Sequence, residues 1–409
     1  MTRPKVLMLT HRMPYPPNRG DRIRAFHVLK FLSERADVYL GCVADEPWKS
    51  ADEETLKGYC KELSIHRLQP RGRWIRAAAG MAVGKSVTTG AFYSSTLAKK
   101  IQSWTKTQVM DAALLYCSSM GAYSHAFHHR PKRVVVDLVD VDSQKWLDYA
   151  HASRGVKKWL YHRESRKIRN LERRLSTDSD AVSVISREEA ELFRSWHQDR
   201  EAHPISNGVD HEYYSPKAIE ASSWQSIQKG EPQLVFVGVL DYLPNVQGLE
   251  WFCSHVLPPV KREFPRLRLS IVGRRPMPQI KELEKHPEVC VVGEVDDVRP
   301  YVLSADVAIA PLQIARGIQN KVLEALACGK PVIATSNAAA GIDQQGGLFI
   351  ANEPEEWVET LRSLQCQKRH AEASHQARNG VMTQYSWSAR LTPLLEMLQL
   401  QQPSFTSID

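Results

Sequence analysis

The chain has 409 residues, of which 43% are hydrophobic and 24% are charged, with a formal net charge of +8 and an isoelectric point near 9.0. This length exceeds what one hydrophobic core usually serves, so we expect two domains of roughly 200 residues in an ordinary globular protein. The positive charge favours an anionic partner such as phosphate, nucleic acid or an acidic membrane face, and the longest uncharged apolar runs, residues 38–44 and 234–240, are too short to span a membrane.

The first half of the chain alternates apolar strands with amphipathic helices. A continuous apolar run at Lys5–Thr10 precedes the loop PYPPNRGD and a helix with Ile23, Phe26 and Leu29 at helical spacing. Further strands are predicted at 38–43, 65–68, 112–116, 134–138 and 181–185. Because helical stretches separate these strands, we expect a parallel sheet wound on both faces.

The second half shows the same alternation of apolar strands and helices, with strands predicted at residues 233–239, 267–272, 289–292, 307–310 and 332–334. A Pro, Asn-Gly and Ser-rich segment after Val209 has the composition of a linker. Residues 387–400 look helical and are expected to pack back on the first domain. We therefore predict an N-terminal Rossmann-like domain (1–208), a C-terminal Rossmann-like domain (209–386), and a crossover helix with a tail (387–409).

Cysteine and histidine usage argues against a metal or disulfide protein. The seven cysteines are dispersed, odd in number and never spaced as CxxC, so we expect buried reduced thiols and no metal site. His125, His128 and His129 have no acidic or Cys partner at ligand spacing and are expected on a loop or helix surface. The N-terminus enters a strand without a signal-peptide cleavage pattern, so a cytosolic location is expected.

The stretch DVAIAPLQIARGIQNKVLEALACGKPVIAT at residues 306–335 is the most informative part of the chain. It predicts a buried strand, a loop, a helix from about Ile318, and a stop at Gly329 and Pro331. Lys321 and Glu324 then share one face near the helix start, where backbone N–H groups and the helix dipole favour an anion. This predicts a cradle for a diphosphate with a carboxylate for hydroxyl groups. A solvated Lys–Glu pair on an ordinary βαβ unit is the alternative.

Two common nucleotide-binding motifs are absent from the sequence. Neither domain carries GxGxxG after its first strand, and no GxxxxGK[ST] loop occurs anywhere. These absences weaken dehydrogenase and ATPase interpretations. Two Rossmann-like domains remain, with ligands expected at the carboxyl ends of the strands.

Six motifs in order carry a resemblance to a known family. They are PYPPNRGDRIR at 14–24, VVVDLVDVDSQKW at 134–146, VSVISREE at 182–189, ISNGVD at 205–210, FVGVLDYLPNVQGLEWF at 236–252 and IARGIQNKVLEALACGKPVIAT at 314–335. With these motifs the chain resembles GT-B glycosyltransferases of family 4, and specifically the subgroup associated with exosortase (PEP-CTERM) exopolysaccharide clusters.

The resemblance implies an α/β GT-B fold, with two Rossmann-like domains facing across a cleft. It implies transfer of a sugar from a nucleotide-diphosphate donor, a UDP- or GDP-sugar, to an acceptor hydroxyl with retained anomeric configuration. It implies no cofactor and no obligatory metal. The acceptor would be a glycan or lipid-linked sugar, which extends the expected location to the inner face of the membrane.

The resemblance assigns the donor site largely to the second domain. Glu324 matches the later of two family glutamates and would accept hydrogen bonds from ribose hydroxyls, while Lys321 would hold the diphosphate. Gly20 would let the first domain's backbone approach the same phosphates. The other residues assigned to the donor are Gly238, Arg274, Gly317, Ile318, Gln319 and Asn320.

This chain departs from the family pattern at the phosphates. Arg316 stands where the earlier glutamate is usual, and Val239 and Asn245 stand where many relatives have Arg and Lys. An arginine has no acceptor for sugar hydroxyls. Either Arg316 binds the diphosphate or an acidic sugar, with Arg316 and Arg274 replacing the missing cations, or the site is catalytically altered.

Acceptor-side residues are expected in the first domain. Asp140 and Asp142 follow a predicted strand, and we expect Asp140 to orient the acceptor hydroxyl or take its proton. Arg24, Ser118 and Ser119 are assigned to the same side, although capping would account for the serines. Asp140 is grouped with Arg316, Lys321 and Glu324 as the catalytic set.

Two basic stretches suggest an anionic membrane surface as a partner. Residues 154–174 contain nine Lys or Arg and two acids, and residues 71–86 combine Arg, Trp and small apolar residues. Helices of this type can rest on an anionic leaflet. Solvated outer faces of ordinary helices are the alternative.

The sequence is compatible with three classes of function. The first is a nucleotide-sugar-dependent glycosyltransferase, the second is another GT-B enzyme such as a nucleotide-sugar 2-epimerase, and the third is a non-catalytic sugar-nucleotide-binding protein. Nucleic-acid modification is weaker, because no nucleic-acid-binding motif accompanies the basic stretches.

Overall fold

A computed structural model of the chain describes residues 3–68, 81, 86–151, 153–220, 223, 227, 230–315, 318–342 and 346–400. The chain divides into two compact units. The first unit comprises Met1–Asn207 together with Arg390–Asp409, and the second comprises Gly208–Ala389.

The first unit is built on a parallel sheet of seven strands in the order β3-β2-β1-β4-β5-β6-β7. Val6, Leu7, Met8 and Leu9 of β1 are fully buried, because helices cover a parallel sheet on both faces. The strands are β1 (Lys5–Thr10), β2 (Asp37–Ala44), β3 (Glu62–Arg67), β4 (Ala112–Tyr116), β5 (Arg133–Val139), β6 (Ala181–Val184) and β7 (His203–Pro204).

Helices connect these strands. The Ser186 hydroxyl caps α7 by accepting a hydrogen bond from the Glu189 N–H over 3.2 Å. The helices of this unit are α1 (Gly20–Ser33), α2 (Ser50–Lys57), α3 (Val87–Ala91), α4 (Ser95–Thr107), α5 (Asp142–His151), α6 (Gly155–Asp178) and α7 (Arg187–Trp196), with a 3-10 helix at Ser118–Ala126.

The second unit has a six-stranded parallel sheet in the order β10-β9-β8-β11-β12-β13. Counted from its first strand this is the order 3-2-1-4-5-6, which is that of a Rossmann-like sheet and which the first six strands of the other unit also follow. The strands are β8 (Gln233–Val237), β9 (Arg268–Val272), β10 (Val289–Gly293), β11 (Val307–Ala310), β12 (Val332–Ala334) and β13 (Leu348–Ile350).

Helix α12 of this unit ends as its sequence predicts, since Gly329 follows it with a φ of +70° and Pro331 cannot continue a helix. The helices are α8 (Leu243–Trp251), α9 (Leu257–Glu263), α10 (Pro278–Lys281), α11 (Arg299–Ser304), α12 (Asn320–Ala327), α13 (Ser336–Ala339), α14 (Pro354–Leu364) and α15 (Gln367–Gly380). A last helix, α16 (Trp387–Met397), begins in this unit, and its residues from Arg390 onward belong to the first unit. Short 3-10 helices span Pro216–Ala218 and Glu282–Lys285, and π-helical turns span Phe252–Val256 and Val381–Tyr385.

The predicted fold class is confirmed, and most predicted strands agree with the structure to within a few residues. Two strands were missed. β7 has two residues, one of them Pro204, and β13 has three residues after Gly346 and Gly347. Neither is long enough to show a periodic signal.

The C-terminal helix returns to the first unit, as expected. Residues from Arg390 onward belong to that unit, and Arg133 Nε donates to the Met397 carbonyl over 2.9 Å. In the part of the chain that the structure describes, no helix is both long and apolar enough to cross a membrane.

All seven cysteines are described and free, but their burial differs from the prediction. Cys42, Cys253 and Cys328 are buried, whereas Cys290 and Cys366 are exposed. The expectation of buried thiols is therefore wrong for the last two. Cys366 precedes α15 and Cys290 lies in the edge strand β10, where one side of the chain faces solvent.

Candidate functional site

The best-defined candidate site lies in the second unit, at the carboxyl ends of β8 and β11. These strands are neighbours, but the chain continues from β8 to β9 on one side and from β11 to β12 on the other. Ligands of doubly wound α/β sheets bind outside such a switch point. β8 ends at Val237, just before Gly238, and the loop after β11 leads into α12 at Asn320. Gly238 and the start of α12 therefore meet at one edge of the sheet.

Two glycines allow close backbone packing at this edge. The Gly238 N–H donates to the Val272 carbonyl over 3.0 Å. A Cβ atom at Gly273 would lie 1.7 Å from the Gly238 oxygen, so a larger residue there would displace backbone. A Cβ atom at Gly238 would lie 2.9 Å from Asn245 Nδ2 and 3.2 Å from Lys321 Nζ. The absence of a side chain at Gly238 thus leaves room for the Lys321 ammonium.

Lys321 is held by groups that the sequence did not identify. Its Nζ donates to Asn245 Oδ1 and lies 4.6 Å from the centroid of the Phe236 ring. The Asn245 amide in turn donates to the Val239 carbonyl over 2.8 Å. Asn245 therefore contacts an ammonium that comes from α12.

Glu324 lies one helical turn after Lys321 and interacts with Tyr214. Burial raises the pKa of Glu324 above its usual range, while a hydrogen bond with Tyr214 and the charge of Lys321 oppose that shift. Burial also raises the pKa of Tyr214 far above its usual value, so the phenol keeps its proton and can donate. Tyr214 was missed because it lies in a loop with no motif, far from Glu324 in sequence.

The loop that carries Tyr214 is held by an arginine. Arg299 Nη1 donates to the Tyr213 carbonyl over 2.8 Å, and the guanidinium lies 3.7 Å from the centroid of the Tyr213 ring. Asp297 accepts from Arg299 Nη2 over 2.7 Å and fixes the guanidinium. This arrangement holds the backbone next to Tyr214 and hence positions the partner of Glu324.

A small pocket at this edge has Lys321 and Glu324 as its charged lining residues among those that the structure describes. Most of the rest of the lining is aliphatic, and it comprises Tyr214, Val235, Val237, Val298, Val302, Ala308, Ile309, Ala310, Val322, Ala325 and Val332. This apolar surrounding penalises both charges. It lowers the pKa of Lys321 to about 8, although the charge of Glu324 raises it in part. Lys321 and Glu324 are half-buried residues, so the pair is partly desolvated, which differs from a fully solvated Lys–Glu pair.

The other donor residues predicted in this unit have varied surroundings. Ile318 and Gln319 are half-buried, Asn320 is exposed, and Gln319 is the N-cap of α12 without a side-chain capping bond. Arg274 is exposed after β9, and its carbonyl accepts from the Leu240 N–H over 2.9 Å. Arg316 and Gly317 lie outside the described residues.

Acceptor-side candidates of the first unit lie at the carboxyl ends of β4 and β5. Ser118 Oγ donates to Asp142 Oδ2 over 2.8 Å, and both Ser118 and Ser119 are buried. Capping therefore does not account for Ser118. Burial raises the pKa of Asp142 and of Asp140, although Asp140 as a whole residue is exposed.

The backbone at these strand ends is strained. Cys117 directly follows β4 and has a φ of 73°. Val139 is the last residue of β5 and has a φ of 68°. Such values cost about 1–3 kcal/mol for a residue other than glycine, and a β-branched residue such as Val139 adopts them rarely. The Cys117 N–H donates to the Asp137 carbonyl over 2.8 Å, which fixes the bend. Strain of this kind commonly marks a functional edge.

Arg24 differs from its predicted role. It is 1% exposed, its Nε donates to Asp137 Oδ2 over 3.0 Å, and its Nη1 donates to Asn207 Oδ1 over 3.1 Å. The guanidinium therefore supports β5 from inside the unit instead of facing an acceptor. Gly20, the predicted phosphate-facing glycine, starts α1, and a Cβ atom there would meet nothing within 4 Å. Its steric surroundings in this unit therefore do not require glycine.

A polar cluster after β1 was not predicted. Arg12 bonds to Asp21 and, over 3.0 Å, to Asp45, while His11 Nε2 lies 3.6 Å from Asp21. The nearby His11 ring and the hydrogen bond from Arg12 hold the pKa of Asp21 well below its usual range. The sequence signal that could have predicted this cluster is the dipeptide His11-Arg12, which directly follows β1. Among the described residues, no three His, Cys, Asp or Glu side chains are grouped to hold a metal ion.

Comparison with known proteins bears on both units. Residues 231–366 match the family model described as "Glycosyl transferases group 1". An uncharacterized 44.6 kDa protein in the cps region of Klebsiella pneumoniae is 22% identical over 370 residues, covering 85% of this chain and 88% of that protein.

Solved structures match nearly the whole chain at low identity. Sucrose-phosphate synthase from Thermosynechococcus elongatus has a TM-score of 0.61 at 15% identity, covering 97% of this chain and 98% of that chain. The chain has the GT-B fold. Alr3699/HepE of Anabaena, in complex with UDP and glucose, has a TM-score of 0.59 at 16% identity, covering 97% and 99%. A glycosyltransferase from Rickettsia africae has a TM-score of 0.63 at 12% identity, covering 98% of each chain. The family match over residues 231–366 supports a glycosyltransferase, and these neighbours support the GT-B fold.

Proposed function

We propose that the chain is a retaining glycosyltransferase of the hexosyltransferase type. It moves a sugar from a nucleoside-diphosphate donor to a hydroxyl of a glycan or lipid-linked acceptor in exopolysaccharide biosynthesis. The observation that carries the proposal is the pair Lys321 and Glu324 at the switch point of a Rossmann-like sheet, within the segment that matches the glycosyltransferase model. The similarity to a cps-region protein favours the polysaccharide setting.

The donor in this proposal is a nucleotide sugar, with UDP first because a similar GT-B structure is a complex with UDP-glucose. The Lys321 ammonium stabilises the negative charge that develops on the leaving diphosphate, and Glu324 accepts hydrogen bonds from the ribose. Gly20, Gly238, Arg274, Arg316, Gly317 and the backbone of 318–320 complete the proposed donor contacts. The proposal includes neither a cofactor nor an obligatory metal.

The proposed chemistry needs no covalent protein intermediate. The bond between the anomeric carbon and the phosphate oxygen breaks, and the bond to the acceptor oxygen forms on the same face of the sugar. The proton of the acceptor hydroxyl goes to the leaving phosphate. Asp140 orients that hydroxyl, and Asp142, with Ser118 and Ser119, shapes the same edge. A raised pKa makes Asp140 a better hydrogen-bond acceptor for this purpose.

The deciding experiment follows release of nucleoside diphosphate from UDP-, GDP- and ADP-sugars with and without acceptor. We expect turnover with at least one donor and, for Lys321→Gln, a loss in kcat of roughly 100- to 1,000-fold. Lys281→Gln, an exposed lysine elsewhere in the second unit, is the matched control. Absence of both donor turnover and donor binding would end the proposal, and an inverted anomeric centre in the product would end its retaining part.

A non-catalytic or altered sugar-nucleotide-binding protein is the second candidate. It is favoured by Arg316, which replaces a carboxylate in the pattern of related enzymes. Donor binding without turnover would support it, whereas an isomerised nucleotide sugar would identify an epimerase.

The proposed lipid-linked acceptor lies in a membrane, and this determines where the protein would work. The chain would work in the cytoplasm and reach its acceptor at the inner membrane face. Peripheral contact with an anionic membrane surface is therefore part of the proposal.

A further inference from the structure

Helices α5 and α6 of the first unit form an antiparallel hairpin. Ser165 Oγ donates to the Ser143 carbonyl over 2.7 Å near one end, and the Trp146 and Tyr161 rings lie 5.5 Å apart nearer the turn. We name residues 149–151 and 153–159 the hairpin tip. The base of the hairpin is fixed to the unit, so the position of the tip is set by packed helices.

The hairpin tip exposes three large apolar side chains. Val156 is 81% exposed, Trp159 is 60% exposed and Tyr149 is 46% exposed. The Tyr149 ring lies 5.8 Å from Trp146 and 6.0 Å from Tyr161, so it extends an aromatic cluster toward solvent. Val156 and Trp159 are three residues apart on α6 and therefore share one face of it, and contiguous exposed apolar surface commonly marks a site of interaction.

The two carboxylates in the middle of α6 point into the protein, which the sequence alone did not reveal. Glu164 accepts hydrogen bonds from the N–H groups of Val87 and Thr88 over 2.9 and 2.8 Å, and it is 1% exposed. Glu172 accepts from the Ser143 N–H over 3.0 Å and is fully buried. Both acids are thus used to satisfy backbone donors and contribute little to the outer surface.

The outer surface of α6 is consequently basic. From residue 154 to residue 177, all of which the structure describes, no acidic residue is exposed. Asp148 on α5 is an exposed acid close to the hairpin tip, and Gln144 donates to it over 2.8 Å. The exposed cations of this stretch are Arg154, Lys157, Lys158, Arg166, Arg173 and Arg174.

We propose that the hairpin tip docks on a membrane surface of anionic phospholipid. Val156, Trp159 and Tyr149 enter the interfacial layer, while Arg154, Lys157 and Lys158 contact lipid phosphates. Tryptophan and tyrosine favour that layer because one part of the ring system is apolar and another is polar, and lysine stems lie along apolar surface with their charge in water. Burying an aliphatic side chain as exposed as Val156 in lipid is favourable, because its apolar surface leaves water. A nucleic-acid backbone is charged and polar and offers no apolar surface for this side chain.

This inference adds a membrane-binding surface to the proposed function. It rests on that function only to explain why the protein would bind a membrane. Its test is co-sedimentation of the full chain with vesicles, made either of phosphatidylcholine alone or of equal parts phosphatidylcholine and phosphatidylglycerol. We expect binding to the anionic vesicles and little to the neutral ones. Each cation near an anionic surface contributes about fivefold in affinity, so changing Arg154, Lys157 and Lys158 to Gln should weaken binding on the order of a hundredfold.

A second variant tests insertion separately from charge. Val156→Ser with Trp159→Ser keeps every cation and should weaken binding roughly tenfold or more, because less apolar surface leaves water. The matched control changes Lys61, Lys99 and Lys106 to Gln, which removes the same charge from exposed positions in the same unit. We expect this control to bind almost as the unchanged chain does.

Several outcomes would overturn the docking proposal. These are equal binding to neutral and anionic vesicles, equal losses in the control and the charge variant, or no loss with the serine variant. Binding of single-stranded RNA, but not of vesicles, through the same cations would assign the surface to nucleic acid instead. Hydrolysis of a soluble donor is measured on every variant. Vesicle binding by a chain without donor turnover would end the proposed function and leave the docking surface intact.

Discussion

At the scale of single residues, Lys321 is the group on which donor binding should depend most. Its ammonium is bonded to Asn245 Oδ1 and faces the Phe236 ring, but its surroundings are otherwise largely aliphatic. Burial lowers its pKa from 10.5 to about 8, so the ammonium begins to lose its proton just above neutral pH. An arriving diphosphate adds negative charge beyond that of the neighbouring Glu324. Binding and protonation of Lys321 should therefore be linked.

The first prediction concerns the pH dependence of UDP affinity. A bound diphosphate favours protonated Lys321 and raises its pKa, so binding takes up a proton above about pH 8 and weakens as pH rises. Lys321→Arg stays charged and should remove this dependence. Lys321→Gln should weaken binding roughly 10- to 100-fold at neutral pH. Calorimetry in buffers of different ionisation heat measures the proton uptake, and unchanged affinity from about pH 7 to about pH 9.5 would contradict it.

At the scale of elements, the candidate site depends on how closely the loops after β8 and β9 approach each other. Gly238 N–H bonds to Val272, and Gly273 N–H bonds to Gly293 over 2.8 Å at the end of β10. These bonds align the ends of β8, β9 and β10, and Gly238 after β8 lies beside the Lys321 ammonium of α12. The position of the Lys321 ammonium follows from this alignment, because Gly238 lies beneath it.

The second prediction tests this close approach. Gly273→Ala puts a methyl group against the Gly238 oxygen and should cost about 2–3 kcal/mol in unfolding free energy through overpacking. It should also weaken UDP binding, since Gly238 must move. Gly293→Ala is the control, because its Cβ atom meets nothing within 4 Å and only its φ of +81° opposes the change, at about 1 kcal/mol. Urea unfolding of both variants measures the difference, and equal midpoints would contradict the argument.

At the scale of the whole molecule, two units of similar strand order carry different candidate chemistry. The second unit has a lysine and a glutamate in an apolar setting, and the family model matches only this part of the chain. The first unit has carboxylates, strained strand ends and a basic helix hairpin. Donor binding should therefore stabilise one unit far more than the other.

The third prediction is a pattern of hydrogen exchange. At about 100 times its Kd, UDP should stabilise the unit that binds it by about 2.7 kcal/mol. Exchange should slow in peptides that cover β8, α8 and α12, while peptides from β1 and β2 should change little. In the Lys321→Gln variant, whose binding should be roughly 10- to 100-fold weaker, the stabilisation at the same UDP concentration should fall to about 0.4–1.4 kcal/mol. Protection confined to the first unit would contradict the assignment of the donor site.

The sequence by itself determined the fold class, most of the strands and the helix that carries Lys321 and Glu324. These features depend on local signals, since continuous apolar runs identify buried parallel strands and Gly329 with Pro331 ends a helix. The motif at residues 306–335 indicated an anion site without any tertiary information. That anion site remains a proposal, as do the roles of Lys321, Glu324, Gly20, Arg274, Arg316 and Asp140.

Only the tertiary structure decided which partners these residues have. Asn245 is 76 positions from Lys321, and Arg24 is 113 positions from Asp137, so no local pattern connects them. The sequence also could not reveal that Glu164 and Glu172 point inward, because a helix pattern does not say which backbone donors a neighbouring segment presents. Periodicity fixes how each segment folds, whereas contacts between distant segments fix charge, burial and pKa at a site.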